Sequence, residues 1–125
     1  RVAKNTYKIT KKLNLNYEKA TRAALMHDFY TSNDLESKNS FEALSKHPSK
    51  ALENARKYYN ITSLEANIIE SHMFPMGHKV PKYAESWIVS LVDKGVAFYE
   101  MYRYKISLTL GIYIIFMFNM ITIQR

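Results

Sequence analysis

No cysteine occurs among the 125 residues. That excludes a disulfide framework, zinc–thiolate sites and thiol catalysis, and leaves His, Asp and Glu as the available metal ligands. Glycine and proline are scarce, three of each, too few for a turn-rich sandwich or barrel, so a helical chain is expected. There is no internal repeat, no Gly-rich phosphate loop and no basic stripe interleaved with aromatics, the features that would favour nucleic acid. What is present is 47% hydrophobic and 23% charged residues, enough to fill one core and too apolar for a disordered chain. The length suits one domain rather than a two-domain enzyme. The sequence opens on Arg1 rather than Met and is read as a fragment or processed product.

The formal charge is +7, and it is unevenly spread. Residues 1–22 hold seven basic side chains (Arg1, Lys4, Lys8, Lys11, Lys12, Lys19, Arg22) against Glu18 alone, which accounts for +6 of it. This segment reads as a helix with Val2, Thr6, Ile9 and Leu13 on one face and lysines on the other. A solvated helix face is the favoured reading; a phosphate-attracting rim, or contact with an anionic membrane or nucleic acid, remains open.

Further helices follow with short interruptions. Asn16 caps a second, from Tyr17 to about Phe29, with Tyr17, Ala20, Ala23, Ala24 and His27 in three- and four-residue steps. The polar stretch Thr31 to Ser45 is expected to be a loop over a site. Pro48 suits the first turn of a third helix, with Leu52, Ala55 and Tyr59 inward. Thr62-Ser63-Leu64-Glu65 is a capping-box pattern opening a fourth, striped by Leu64, Ile68 and His72. Pro75, Gly77 and Pro81 break it. A fifth helix runs from about Tyr83 to at least Tyr102, burying Ala84, Ile88, Leu91 and the valines around Asp93. The architecture is therefore an all-α single domain of about five helices, residues 1–104, plus a hydrophobic C-terminal helix, 105–125.

From Ile106 to Ile123 eighteen consecutive residues carry no charge. As a helix they span about 27 Å, against about 30 Å for a bilayer's hydrocarbon core. A membrane anchor is the favoured reading, ahead of a packed core helix and an oligomer interface. Arg103 and Lys105 then keep the domain on the cytoplasmic side.

All four histidines lie between residues 27 and 78. His27 and Asp28 are adjacent at the end of an alanine-rich run, His47 precedes Pro48, His72 ends the stripe of the fourth helix, and Asp93 sits in an apolar stretch. Each candidate belongs to a different helix or helix end, so they can converge on one pocket. A carboxylate in apolar surroundings needs a cation or donors. Ser86 and Ser90 are donors within reach of Asp93 along the helix, and supply a purely structural explanation for it. Imidazole and carboxylate together suit iron, manganese, zinc or another divalent ion. A carboxylate next to a histidine can bridge two ions, a pairing that activates water and clamps a phosphoryl oxygen.

The order His27-Asp28, His47, His72, Asp93, with Ala23-Ala24-Leu25-Met26 leading into the doublet and His47-Pro48 after it, resembles the HD-domain superfamily of metal-dependent phosphohydrolases. With two further histidines between the doublet and the final Asp, it is similar to the dinuclear branch, which includes the symmetrical diadenosine tetraphosphate hydrolases. The resemblance implies one or two divalent ions (Fe, Mn, Zn or Mg) held by His27, Asp28, His47, His72 and Asp93. A further ligand histidine is implied just before Arg1-Val2-Ala3. It also implies Asp28 and Lys94 as catalytic groups, Lys94 as a phosphate contact, and a phosphorylated small molecule, a nucleotide, as substrate; Lys50, within a turn of His47, is a second candidate phosphate contact by position. His78 matches no ligand and is read as exposed; Trp87 is read as core or interface. A membrane-tethered nucleotide-binding or scaffold module without turnover is the alternative, and a homo-oligomer is compatible with either.

Overall fold

The computed structural model describes residues 1–30 and 40–123. Five helices follow in order: α1 (Val2–Lys12), α2 (Tyr17–Met26), α3 (Ser40–Tyr58), α4 (Ser63–Ser71) and α5 (Ala84–Ile123), with no strand among the described residues. The chain divides into two compact units, one ending at Lys94 and the other opening at Gly95.

In the first unit α1 packs on α2, α2 on α4 and α3 on α4. Alanines make this close approach possible: Ala20, Ala23 and Ala24 of α2, Ala51 and Ala55 of α3 and Ala66 of α4 are all buried. Ile68, Ile69, Leu52 and Val89 fill the space between them, each large aliphatic contributing about 1.5–3 kcal/mol.

The helix ends obey local chemistry. Leu15 N–H donates to Thr10 O and Asn14 N–H to Lys11 O, a Schellman closure of α1 in which Asn14 takes the left-handed conformation, φ 55°, usually left to glycine. Asn16 caps α2 by accepting from Lys19 N–H at 3.2 Å. Both halves of the Thr62–Glu65 capping box form on α4. Glu65, fully buried, is also met by Arg22 of α2 at 3.2 Å.

Several expectations from the sequence are corrected. On the expected inner face of α1 Thr6 is fully buried and Val2 packs against the core, but Ile9 and Leu13 are 40% and 57% exposed and Thr10, outside that set, is fully buried. The contact is centred on Thr6 and Thr10, one step around the helix from Ile9 and Leu13. Helix α2 stops at Met26, short of Phe29. Helix α3 already runs from Ser40, so Pro48 lies inside it. Pro48 cannot donate to the carbonyl four residues earlier, yet Glu42, Leu44 and Lys46 are good helix formers and Lys46 pairs with Glu42 one turn back. The loop expected over Thr31 to Ser45 is therefore helix from Ser40 onward; residues 31–39 lie outside the described set. Tyr59 is exposed and Ala51 takes the inward position. On α5 the buried side chains are Ser86, Val89 and Ser90, whereas Ala84 and Leu91 face outward and Ile88 is half-buried. Trp87 is not core: it is 44% exposed, edge-on to Phe74.

The second unit is the continuation of α5, one unbroken helix through the apolar stretch. It is long and apolar enough to cross a membrane, and the side chains of that stretch are exposed rather than packed.

Asn67 fixes the start of α5 against α4. Its Oδ1 accepts from Lys82 N–H at 2.9 Å and from Ser86 Oγ at 2.7 Å, and its amide donates to Val80 O. Replacing Asn67 with Ala strands two donors, one of them the buried Ser86, and is expected to destabilise the domain by about 2–3 kcal/mol in denaturant unfolding. Conversely, the buried Thr6 hydroxyl has no partner among the described residues. Thr6→Val should raise stability by about 1 kcal/mol in the same measurement.

Candidate metal centre

Two helices end in the same way. The last carbonyls of an α-helix lack intrahelical donors. At the C-cap of α2 the His27 ring folds back so that Nδ1 meets Ala24 O at 2.5 Å. At the C-cap of α4 the His72 ring does the same, Nδ1 meeting Ile69 O at 2.6 Å. A carbonyl can only accept, so both Nδ1 atoms carry the hydrogen. The tautomer is thereby set, and each Nε2 points away from its own helix, in the arrangement that outer hydrogen bonds impose on metal-binding histidines.

The two Nε2 atoms and those of the remaining candidates meet. His27 Nε2 lies 3.1 Å from Asp28 Oδ2 and 3.2 Å from Asp93 Oδ1. His47 and His72 bring their Nε2 atoms to 2.9 Å, and Asp28 Oδ1 is 3.7 Å from the first and 3.8 Å from the second. All five residues singled out in the sequence are thus within one cluster. His47 reaches it from the middle of α3 rather than from a helix start, and Asp93 from α5.

The walls are dry and the rim is open. The three imidazoles are buried and in ring contact, His72 lying 5.0 Å from both His27 and His47. Asp28 is 59% exposed and forms the open side. Tyr30, which sequence reasoning passed over, stacks on His47 at 5.0 Å. Its place two residues after the doublet was the available signal.

Electrostatics follow from this packing. Burial lowers the pKa of His27, but hydrogen bonds to Asp28 and Asp93 outweigh it and raise the group to about 10. Hydrogen bonding from His27 in turn holds the Asp28 carboxyl below its usual range, against burial. Burial drives His72 down to about 4, so its Nε2 is a bare acceptor at neutral pH and His47 supplies the hydrogen between them.

Asp93 has its partner in His27. Ser86 and Ser90 do not provide it: Ser86 donates to Asn67, and Ser90 to His72 O at 3.0 Å. Lys94 donates to His72 O at 2.9 Å and to Ser90 Oγ at 2.7 Å. Its ammonium therefore sits against the C-terminal carbonyls of α4, where a cation is favoured, and burial lowers its pKa. Lys50 pairs with Glu53 along α3. His78 is exposed.

The donor set fits a divalent cation. Bonds of about 2.1 Å to adjacent octahedral ligands put those ligands about 3 Å apart, close to the separations at His27 and between His47 and His72. His27, Asp28 and His72 offer ligand atoms that all lie within 4.8 Å of one another. The Nε2–H of His27 lies between the two carboxylates.

The family model of the HD domain matches residues 1–97. The chain belongs to the HD-domain family. No curated protein and no solved structure matches it. HD domains are all-α and form a superfamily of metal-dependent phosphohydrolases, so the helical fold and a divalent-metal centre agree with the membership.

The opposite shifts of two histidines give the metal-free HD domain a stability optimum. His72 is neutral in the fold and charged when unfolded below about 6.5, so stability is lost as pH falls from that value through about 4. His27 is charged in the fold and neutral when unfolded above about 6.5, so stability is lost as pH rises through about 10. Thermal unfolding in chelator should peak near the unperturbed histidine pKa. His27→Gln should flatten the alkaline limb and His72→Gln the acid limb.

Proposed function

We propose that this chain is a metal-dependent phosphohydrolase that cleaves a phosphoester or phosphoanhydride, the substrate being a nucleotide, and that it belongs to the dinuclear branch of its family. The observation that carries the proposal is the division of labour at Asp28. One carboxylate oxygen, Oδ2, faces His27, which also meets Asp93; the other, Oδ1, faces His47 and His72. A carboxylate presenting its two oxygens to two separate nitrogen sets is suited to bridge two cations.

In this reading His27, Asp93 and Asp28 would hold one ion and His47, His72 and Asp28 the other. Bound divalent ions supply polarisation of a phosphoryl oxygen and a water of lowered pKa. The protein supplies the rest. The buried imidazoles exclude solvent from one side, and exposed Asp28 leaves the other open to a phosphate. The Nδ1–H bonds to Ala24 O and Ile69 O keep the rings from turning. To ligate a cation His27 would have to give up its Nε2 proton, and Asp28 and Asp93, which face that nitrogen, would be the carboxylates beside the ion. Lys94 holds the α4 terminus that carries His72, and with Lys50 is the cation assigned to offset charge on the substrate phosphate. The apolar length of α5 is assigned as a membrane anchor, with the domain on the cytoplasmic side.

Calorimetric titration with Mn²⁺ in two buffers of different ionisation enthalpy should reveal proton release on binding, because His27 is protonated in the metal-free protein. Asp28→Asn should weaken metal affinity by more than the roughly 10–100-fold typical of outer hydrogen-bond partners. It should also abolish nucleotide hydrolysis. Absence of metal uptake, or uptake indifferent to Asp28→Asn, overturns the reading.

A further inference from the structure

The metal centre makes no use of the most highly charged face of the molecule. Helix α1 carries Lys4, Lys8, Lys11 and Lys12 and no carboxylate, and all four lysines are exposed. At 100° per residue they fall within an arc of about 100°. Lys11 donates to Tyr7 Oη at 2.8 Å; among the described residues no carboxylate pairs with Lys4, Lys8 or Lys12.

The borders of this arc are apolar. Ile9 flanks it on one side and Tyr7 on the other, each more than a third exposed, and Leu13, also exposed, lies beyond Ile9 toward the buried face. The inversion is unusual: two threonines occupy the buried side of the helix, one with an unpartnered hydroxyl, while two aliphatic side chains stand in water. Burying Ile9 and Leu13 in water-free surroundings is favourable, and the domain itself does not bury them.

A lysine ridge edged by aliphatic and tyrosine side chains matches a headgroup region that is anionic outside and apolar just beneath. A nucleic-acid backbone would satisfy the lysines but not the aliphatic border. The same chain also contains a helix able to cross a bilayer. We propose that α1 is a docking surface for anionic lipid headgroups, its lysines on the phosphates and the bordering Ile9 at the interface. This rests on the reading of α5 as a membrane anchor and extends it: the membrane is recognised by charge as well as spanned. Each lysine near an anionic surface is worth about fivefold in affinity.

The absence of cysteine makes a single labelling site simple. The full chain carrying Asn5→Cys with an environment-sensitive dye would be placed in nanodiscs of phosphatidylcholine alone and of phosphatidylcholine with about one-third phosphatidylserine. The expected result is a blue shift confined to the anionic discs. It should be lost in about 0.5 M salt, where charges are screened within about 4 Å, and lost in K4E/K8E/K12E. The neutral K4Q/K8Q/K12Q set carries the test if the reversed variant fails to fold. Identical spectra in both discs overturn the proposal, as does an equal shift produced by a short RNA in neutral discs. Flotation separates this from the anchor. If the chain fails to float with phosphatidylcholine vesicles, the anchor reading falls. Docking is then read from flotation with the anionic vesicles, which should weaken about 100-fold in the triple variants; no weakening overturns the docking.

Discussion

The site depends on a short hydrogen bond made twice, from a histidine ring to the carbonyl three residues back at the end of a helix. Helix ends leave carbonyls in need of donors, and a histidine at the C-cap can supply one from its own ring. In doing so it loses both its tautomeric choice and its rotational freedom. His27 and His72 meet this demand on α2 and α4, and the packing of those two helices against each other brings their outward nitrogens to a common place. Three layers of structure, cap, helix pair and ligand cluster, therefore rest on one local interaction. Lys94 and Ser90 reinforce it from α5 by donating to the carbonyl of His72, the C-cap of α4.

The chemistry of the centre was more legible in the sequence than the packing around it. A His-Asp doublet, two further histidines and an acid in an apolar run, separated by 19 to 25 residues, can be read as separate helix ends without knowing how helices pack. All five residues meet in the structure. Capping was legible for the same reason: Asn16 and the Thr62–Glu65 box depend on neighbours within four residues.

What could not be read was set by tertiary contact. The inward face of α1 required knowing where α2 touches it: of the stripe Val2, Thr6, Ile9 and Leu13 the first two are inward, while Ile9 and Leu13 are exposed and Thr10 is buried instead. Proline at position 48 argued locally for a helix start, but a run of helix formers before it carried α3 back to Ser40. The serines near Asp93 were suitable donors in principle. In the fold they serve Asn67 and the end of α4 instead, leaving Asp93 to His27. The stacking of Tyr30 on His47 joins a turn to the middle of another helix, a pairing that spacing alone does not encode.

The hydrogen on His27 ties the centre to acidity as well as to ions. A ligand must give up its proton to bind a cation, and His27 holds its proton between two carboxylates. Uptake of a cation would therefore weaken as the surroundings become more acidic, and occupancy would follow pH as well as supply.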